Sequence, residues 1–492
     1  MIRKTFFLFA FLLTLVVSCS YLHTGSKTSK PEHVAIDLDS IRVRGKLIAV
    51  TNVNSTNYFI YKGEPMGFTY DLLKSFSDHL GLDLEIITEN QLKDAFKDLN
   101  SGKADLLAIG LTVNSSRKQE VSFTEPIEET RQVLVQRKPN NWRSLTADNI
   151  NRMLLRNQLD LAGKTVYVQE GSSHVGRMRT LSEEIGDSIN IVEVPYDAEK
   201  LIRNVAGGEI DYTVCDENVA KVISTYYHNI DVSTPVSFPQ NIAWAVRKDY
   251  SGKLLKELDE WITSYRKTKA YAFLYAKYFR NSGMSRMVKS DYYSLNTGKL
   301  SRYDDIIKKY SASINWDWRL LASLVCQESH FNPGIKSWAG AYGLMQIMPV
   351  TAKEFGIDVK ASPENNIRAG IKYIQYLYSI FDSRIPDESE RLHFVLAAYN
   401  SGPGHVLDAM KLAEKNGMDP HKWYGNVAVW MLKKSDPKYY NDPVVKSGYF
   451  KGTETVAFVT DIIDRYEHYK NLLPGDGLNS FEYLASADQA GK

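Results

Sequence analysis

The chain changes its hydrophobic rhythm once, and that change limits the folds open to it. From Lys46 to about Lys267, short apolar runs alternate with amphipathic stretches, whereas from Tyr303 onward the apolar period is helical. Leu47–Val50, Leu84–Ile87, Leu106–Ile109, Val166–Val168, Ile191–Val194 and Tyr212–Val214 have the length and composition of strands. Asp71–Leu80 places Leu72, Leu73, Phe76 and Leu80 on one helical face, and Gly81 stands where helices commonly end. Strands alternating with helices predict an α/β region with mostly parallel sheets. The later part predicts an all-α unit: Ile367, Ile371, Ile374, Tyr378 and Phe381 form one stripe, and another helix runs to Asn400, stopped by Gly402 and Pro403. Between them, Lys269–Phe279 is aromatic and reads as a docking helix, followed by turns at Asn281–Gly283 and Leu295–Gly298.

Length and charge narrow the classes further. A chain of 492 residues fits about three compact units of roughly 150 residues each. A net charge of +2 with 24% charged residues describes an ordinary surface and gives no reason to expect nucleic acid as a partner. Arg3 and Lys4 precede the apolar run Phe6–Val17, which is short for a membrane span and reads as an export signal. Only Cys215 and Cys326 accompany Cys19, and they fall in different predicted units, so a disulfide framework is not expected. The ten histidines show no zinc-type spacing. Gly163-Lys164-Thr165 lacks the earlier glycine of a phosphate loop, since Gln158 holds that place, so neither a metal nor a cofactor is expected.

One carboxylate stands out. Leu321, Leu324 and Val325 precede Glu328 at helical spacing, so its side chain continues an apolar stripe, and Asn332-Pro333-Gly334 is expected to stop the helix. The helix dipole at that end contributes about 0.3 to 1 kcal/mol, whereas moving a glutamate from about 4.3 to about 6.5 needs roughly 3 kcal/mol, which burial can supply. Taken alone, Glu328 could equally be a partly buried helix-end glutamate satisfied by a local donor.

Its surroundings are more specific. Glu328-Ser329, Ser337, the run Gly343-Leu344-Met345-Gln346 and Ala398-Tyr399-Asn400 follow one another as do the ES, GLMQ and AYN motifs of soluble lytic murein transglycosylase domains, and the chain resembles them over this region. The resemblance implies a mainly α, lysozyme-like domain in which Glu328 is the catalytic acid. It also implies substrate contacts from Ser337, Met345, Gln346, Tyr399 and Asn400, with Met345 as an apolar wall and Tyr399 bonded to the glutamate. The implied reaction cuts the bond between N-acetylmuramic acid and N-acetylglucosamine and leaves a 1,6-anhydro end. One position departs from the pattern: Phe458 in Glu454-Thr455-Val456-Ala457-Phe458-Val459 stands where relatives carry a tyrosine.

The α/β part resembles extracellular solute-binding proteins of the polar amino acid type. The resemblance rests on Gly67-Phe68-Thr69-Tyr70-Asp71-Leu72, on Asp105–Thr112 with Arg117 and Val121–Pro126, and on Leu161–Val166 through Gly171-Ser172-Ser173. It implies two lobes joined by crossovers near Lys138–Trp142 and Pro239–Ala243. Arg117 would grip a ligand carboxylate, Asp216 would receive an ammonium, and Ser172 and Ser173 would add hydroxyls. A surface arginine and a helix-capping aspartate with no shared ligand is the plainer alternative. Leu15-Val16-Val17-Ser18-Cys19 resembles a bacterial lipobox, implying acylation at Cys19, and Ser20 after it implies the outer membrane.

The two resemblances together match the architecture of the membrane-bound lytic murein transglycosylase F family. The expected organisation is a signal peptide at 1–19, a tether at 20–40, a binding domain at 41–267, a connection at 268–300, a lytic domain at 301–474 and a polar tail at 475–492. Peptidoglycan strands, a lipid anchor facing the periplasm, and an amino acid or peptide ligand are the expected partners. Two other functions fit parts of the pattern: a non-enzymatic binding lipoprotein, and a hydrolytic muramidase in which Glu364 or Asp358 directs a water.

Overall fold

The computed structural model describes residues 35–280 and 283–473. Cys19 and the lipobox, the tail after Leu473 and the turn residues Asn281 and Ser282 therefore lie outside the described residues. Among those described, the strands in chain order are β1 (Lys46–Thr51), β2 (Phe59–Tyr61), β3 (Glu64–Met66), β4 (Asp83–Thr88), β5 (Leu106–Thr112), β6 (Val121–Phe123) and β7 (Glu128–Thr130). They continue with β8 (Gln132–Arg137), β9 (Thr165–Gln169), β10 (Asn190–Val194), β11 (Tyr212–Asp216), β12 (Ile230–Pro235) and β13 (Gln240–Arg247).

These strands build two lobes. The first sheet has the order β4-β1-β5-β13-β6, with β7 also on β13; the second has the order β10-β9-β11-β8-β12. Strand β5 is apolar along its length and almost wholly buried, as a strand covered on both faces must be. β1 pairs in parallel with β4 and β5, and β9 with β10 and β11, but β13 and β8 run antiparallel to their neighbours. The strands of each sheet therefore run mostly parallel, as expected, with one reversed strand in each lobe contributed by the chain arriving out of the other lobe.

The first crossover is also not where the sequence placed it. The chain passes between lobes at Arg131, where β7 ends and β8 begins, and not near Lys138–Trp142. No glycine or proline marks that step, because an extended strand simply continues from one sheet into the other. The turn at Lys138–Asn141 is only the exit from β8. The return runs through residues 236–239, close to the expected Pro239.

From Asp304 the chain is helical. The helices Trp318–Ser329, Pro363–Phe381, Glu388–Ser401, Pro403–Lys415 and Thr453–Leu472 share one core. Trp318–Ser329 starts on Asp317, whose carboxylate accepts from the Arg319 amide, and Pro363–Phe381 starts on Ser362, whose hydroxyl accepts from Asn365. Ile367, Ile371, Ile374 and Phe381 are buried, as their spacing required. Phe458 is buried in the same core.

The two parts are stitched together. In the connection, Lys269–Tyr275 is a helix that lays Tyr271 and Tyr275 against Phe68, and the Tyr271 hydroxyl donates to the Ile127 carbonyl at 2.8 Å. Leu295 and its neighbours form a short helix, Ser294–Thr297, where the sequence suggested a turn. The Thr453–Leu472 helix reaches the first lobe: Tyr58 and His468 Nδ1 are 2.8 Å apart, and Asn471 donates to the Ile86 carbonyl at 2.8 Å.

A buried charge cluster holds the first lobe. Arg247 is 3% exposed and lies 3.8 Å from Asp105, whose other oxygen accepts from the Ile48 amide at 2.9 Å and from Arg44. Removing one partner of such a group strands the other charge in the interior. Asp105→Ala is expected to destabilise the lobe by about 3 kcal/mol or more, read as a lower urea or thermal midpoint. Asp78→Ala, which breaks the exposed Lys74–Asp78 pair, should leave the midpoint nearly unchanged.

Candidate active site

Glu328 sits in the last turn of the Trp318–Ser329 helix, whose interior face is formed by Leu321, Leu324 and Val325, all fully buried. The helix ends earlier than the Asn332-Pro333-Gly334 signal implied. His330 already has φ +47° and Phe331 φ +59°, so two left-handed residues turn the chain before the proline is reached. Desolvation alone pushes the Glu328 carboxyl up, to about 8 from an ordinary 4.5.

Residues Ile335–Ile347 fold back as a tongue over this helix end. Gly343 donates its amide to the Ile335 carbonyl at 3.0 Å, Ser337 donates to Ala341 at 2.9 Å, and Tyr342 bridges to Ile347. Ser329, the residue after the glutamate, donates its hydroxyl to the Leu344 carbonyl at 2.8 Å and so bolts the tongue to the helix. At Gly343 (φ +81°) a Cβ would stand 2.4 Å from Asn366 Nδ2, which itself donates to the Tyr342 carbonyl at 2.7 Å. Asn366 is 1% exposed and its Oδ1 accepts from the Met345 amide at 2.8 Å.

The sequence-derived residues occupy these positions with some changes of role. Gln346, at φ +46°, turns its amide nitrogen to the carbonyls of Ile335 and Gly343. The Ser337 hydroxyl accepts from the Ala341 amide at 3.0 Å. Met345 is fully buried and packs on Gly370, where an added Cβ would meet its sulfur at 2.2 Å, so it props the tongue from beneath instead of lining the cleft. The Tyr399 hydroxyl donates to the Met345 carbonyl at 2.7 Å, not to Glu328 as expected, because the tongue brings an unpaired carbonyl to it. Burial pushes the Tyr399 hydroxyl up, and the nearby Glu328 charge adds to that. Asn400 is exposed and its Oδ1 accepts from Thr455 at 2.6 Å. Sequence reading missed Asn366 and Gly370. Both lie on the face marked by Ile367 and Ile374, and that burial of an asparagine was the available signal.

The second carboxylates considered for hydrolysis are engaged elsewhere. Glu364 accepts from Lys309 at 2.7 Å and Tyr310 at 3.0 Å, which holds it below the usual carboxylate range. Asp358 accepts from the Lys360 amide at 2.9 Å.

In the α/β part, two of the four expected ligand residues, Arg117 and Ser173, make contacts between the lobes, and Asp216 lies beside His174 of the second lobe. Arg117 donates to the Thr112 carbonyl at 3.3 Å and, across the lobes, to Gly171 at 3.2 Å. The Ser173 hydroxyl lies 3.0 Å from that of Thr112 and accepts from Gln132 at 3.2 Å. Asp216 lies 3.6 Å from His174 Nε2. Asp216 Oδ1, Ser172 Oγ, Gln132 Oε1 and both His174 ring nitrogens are buried without a hydrogen-bond partner among the described residues. Gln132 and His174 were not singled out from the sequence. Nearby, burial raises Glu128 to about 7.

Known proteins share both halves. Residues 47–281 match the family model of bacterial extracellular solute-binding proteins, family 3, and residues 305–421 match that of the transglycosylase SLT domain. A protein of Desulfosudis oleivorans named membrane-bound lytic murein transglycosylase F is 35% identical over 87% of this chain and 91% of its own length. One of the same name from Pseudomonas fluorescens Pf-5 is 31% identical over 92% of this chain and 90% of its own.

The raised Glu328 value has a thermodynamic consequence. Because the folded state binds this proton more tightly than the unfolded chain does, the stabilisation is complete below about pH 4.5 and is lost as pH rises through about 8. Glu328→Gln lacks this dependence, so its thermal midpoint should gain on that of the wild type between pH 5 and pH 9. Parallel curves would contradict the burial of the carboxyl.

Proposed function

We propose, from the premise that this chain belongs to the membrane-bound lytic murein transglycosylase F family, how its residues perform the reaction. The chain is a lytic transglycosylase acting on peptidoglycan. Neutral Glu328 donates its proton to the oxygen linking N-acetylmuramic acid to N-acetylglucosamine, and the bond from that oxygen to muramyl C1 breaks. The muramyl N-acetyl oxygen stabilises the positive charge at C1. The carboxylate thus formed takes the proton of the muramyl C6 hydroxyl as that oxygen bonds to C1. The products are a free 4-hydroxyl and a 1,6-anhydromuramyl end, and Glu328 is protonated again.

What supports this reading is the seat of Glu328 in the last turn of an apolar helix to which the tongue is bolted, where burial pushes its carboxyl up to about 8 with no charged partner to hold it down. A group of that kind is neutral at pH 7 and returns to neutrality after each turnover, as one residue serving as both acid and base must. The engagement of Glu364 by Lys309 and Tyr310 weighs against hydrolysis directed by a second carboxylate. Asn366, Gly370, Met345 and Tyr399 support the tongue, while Ser337, Gln346 and Asn400 lie on the substrate side.

The α/β domain takes a small zwitterionic ligand, an amino acid or peptide fragment, and its occupancy adjusts lysis. Arg117 receives the carboxylate, and the unpartnered acceptors on Asp216, Ser172 and Gln132 receive the ammonium. Lipid attachment at Cys19 places the protein on the outer membrane, facing the periplasm. No helix among the described residues is long and apolar enough to cross a membrane.

Mass spectrometry of fragments released from sacculi tests the reaction. Anhydro ends, lighter by one water than reducing ends, are the expected product, and Glu328→Gln should release fragments at least about a thousandfold more slowly. Reducing ends would establish hydrolysis instead, and undiminished release by the variant would remove Glu328 from the mechanism.

A further inference from the structure

The hairpin of β2 and β3 lies in the α/β part of the chain but sends Ile60 and its turn into the helical part. Ile60 is fully buried within the core of the lytic domain. Lys62 and Gly63 make the two-residue turn, at φ +53° and +83°, the left-handed pair that such a tight hairpin requires. The turn touches the helix that carries Glu328: a Cβ on Gly63 would lie 2.6 Å from Phe331 and 2.8 Å from Cys326 Sγ. The Tyr469 hydroxyl, from the last helix, donates to the Gly63 carbonyl at 2.7 Å.

Glu64 follows the turn. Its Oε1 lies 3.4 Å from Cys326 Sγ, 3.4 Å from His330 Nδ1 and 3.5 Å from Arg465 Nη2. Arg465, with an 11% exposed side chain, donates through Nη1 to Gln327 Oε1 at 2.9 Å. Gln327 is the residue before Glu328. A carboxylate, a thiol and an imidazole this close would suit a soft divalent cation. Arg465 opposes that reading, because its guanidinium already faces the same Glu64 oxygen and a metal would add a second cation beside it. The group is an ion-pair network between the two domains.

We infer that Glu64 is a positioning residue for the transglycosylase reaction: through Arg465 and Gln327 it fixes the rotation of the helix end and so aims the Glu328 carboxyl. Gly63 and Tyr469 set the depth of the hairpin, and the Glu64–Arg465–Gln327 chain sets the angle. The active site is therefore completed by a residue of the α/β domain. Displacements of about 1 Å at a reacting group suffice for large rate losses, so a charged relay that is only partly buried can matter to rate without mattering to substrate affinity. The inference rests on the reading of Glu328 as the acid.

Kinetics of the full-length protein on soluble glycan strands test it. Glu64→Gln preserves volume but removes the charge, and should lower kcat about tenfold with KM within about twofold of the wild type. Arg465→Met should do the same, and the double variant should be no slower than Arg465→Met alone, since the two act through one contact. All rates are compared well below the thermal midpoint of each variant, so that a loss of folded protein cannot imitate the effect. A wild-type kcat in Glu64→Gln overturns the inference, as does a double variant whose losses multiply. Activity persisting in Glu328→Gln would instead overturn the acid reading, so the two failures are distinguishable.

Discussion

A single carboxyl largely withdrawn from water, with no counter-charge, is the constraint around which the lytic domain is organised. Burial raises Glu328 and nothing in its surroundings pulls it back down. That isolation is arranged by giving neighbouring polar groups other partners. Tyr399 donates to the Met345 carbonyl and Gln346 to the carbonyls of Ile335 and Gly343, while the Gln327 side-chain oxygen accepts from Arg465. With the Tyr399 and Gln346 donors spent on the framework, desolvation leaves the charged form of Glu328 disfavoured, which favours the proton-bearing form that the proposed mechanism uses.

The framework is built from unlike pieces. Ser329 ties the tongue to the helix, Asn366 ties the tongue to the Pro363–Phe381 helix through two main-chain contacts, and Gly370 makes room for Met345 beneath it. On another side of the helix, the hairpin tip from the α/β domain presses on Cys326 and is held by Tyr469 of the Thr453–Leu472 helix. Because Ile60 sits in the lytic core and Asn471 reaches the Ile86 carbonyl, the two domains share structure. The lobes themselves meet through Arg117–Gly171 and Thr112–Ser173.

Much of this was legible in the sequence, for identifiable reasons. Periodicity marked the helices, since Ile367, Ile371 and Ile374 can share a face only at 3.6 residues per turn, and Gly81 closed its helix in the left-handed conformation as placed. The position of Glu328 on an apolar face was likewise visible. Local pattern could not show long-range pairing. Nothing at Arg131 announces a crossover, because a strand entering a second sheet looks like any strand. The reversed strands β8 and β13 follow from that connection and from no local signal. The partner of Tyr399 depended on where the tongue's carbonyls fall, and the Glu64–Arg465 contact joins residues 401 positions apart in sequence. The short stop at His330 was missed because a left-handed histidine is uncommon, whereas Pro333 is conspicuous.

Direct titration of the Glu328 carboxyl, by carbon NMR of protein labelled at glutamate with Glu328→Gln to assign the resonance, tests the central claim most closely. A midpoint near pH 8 in the free enzyme is the expected result. A carboxyl already ionised at pH 5 would contradict it, since a group of that kind has no proton to give at neutral pH and its burial would not be setting its chemistry.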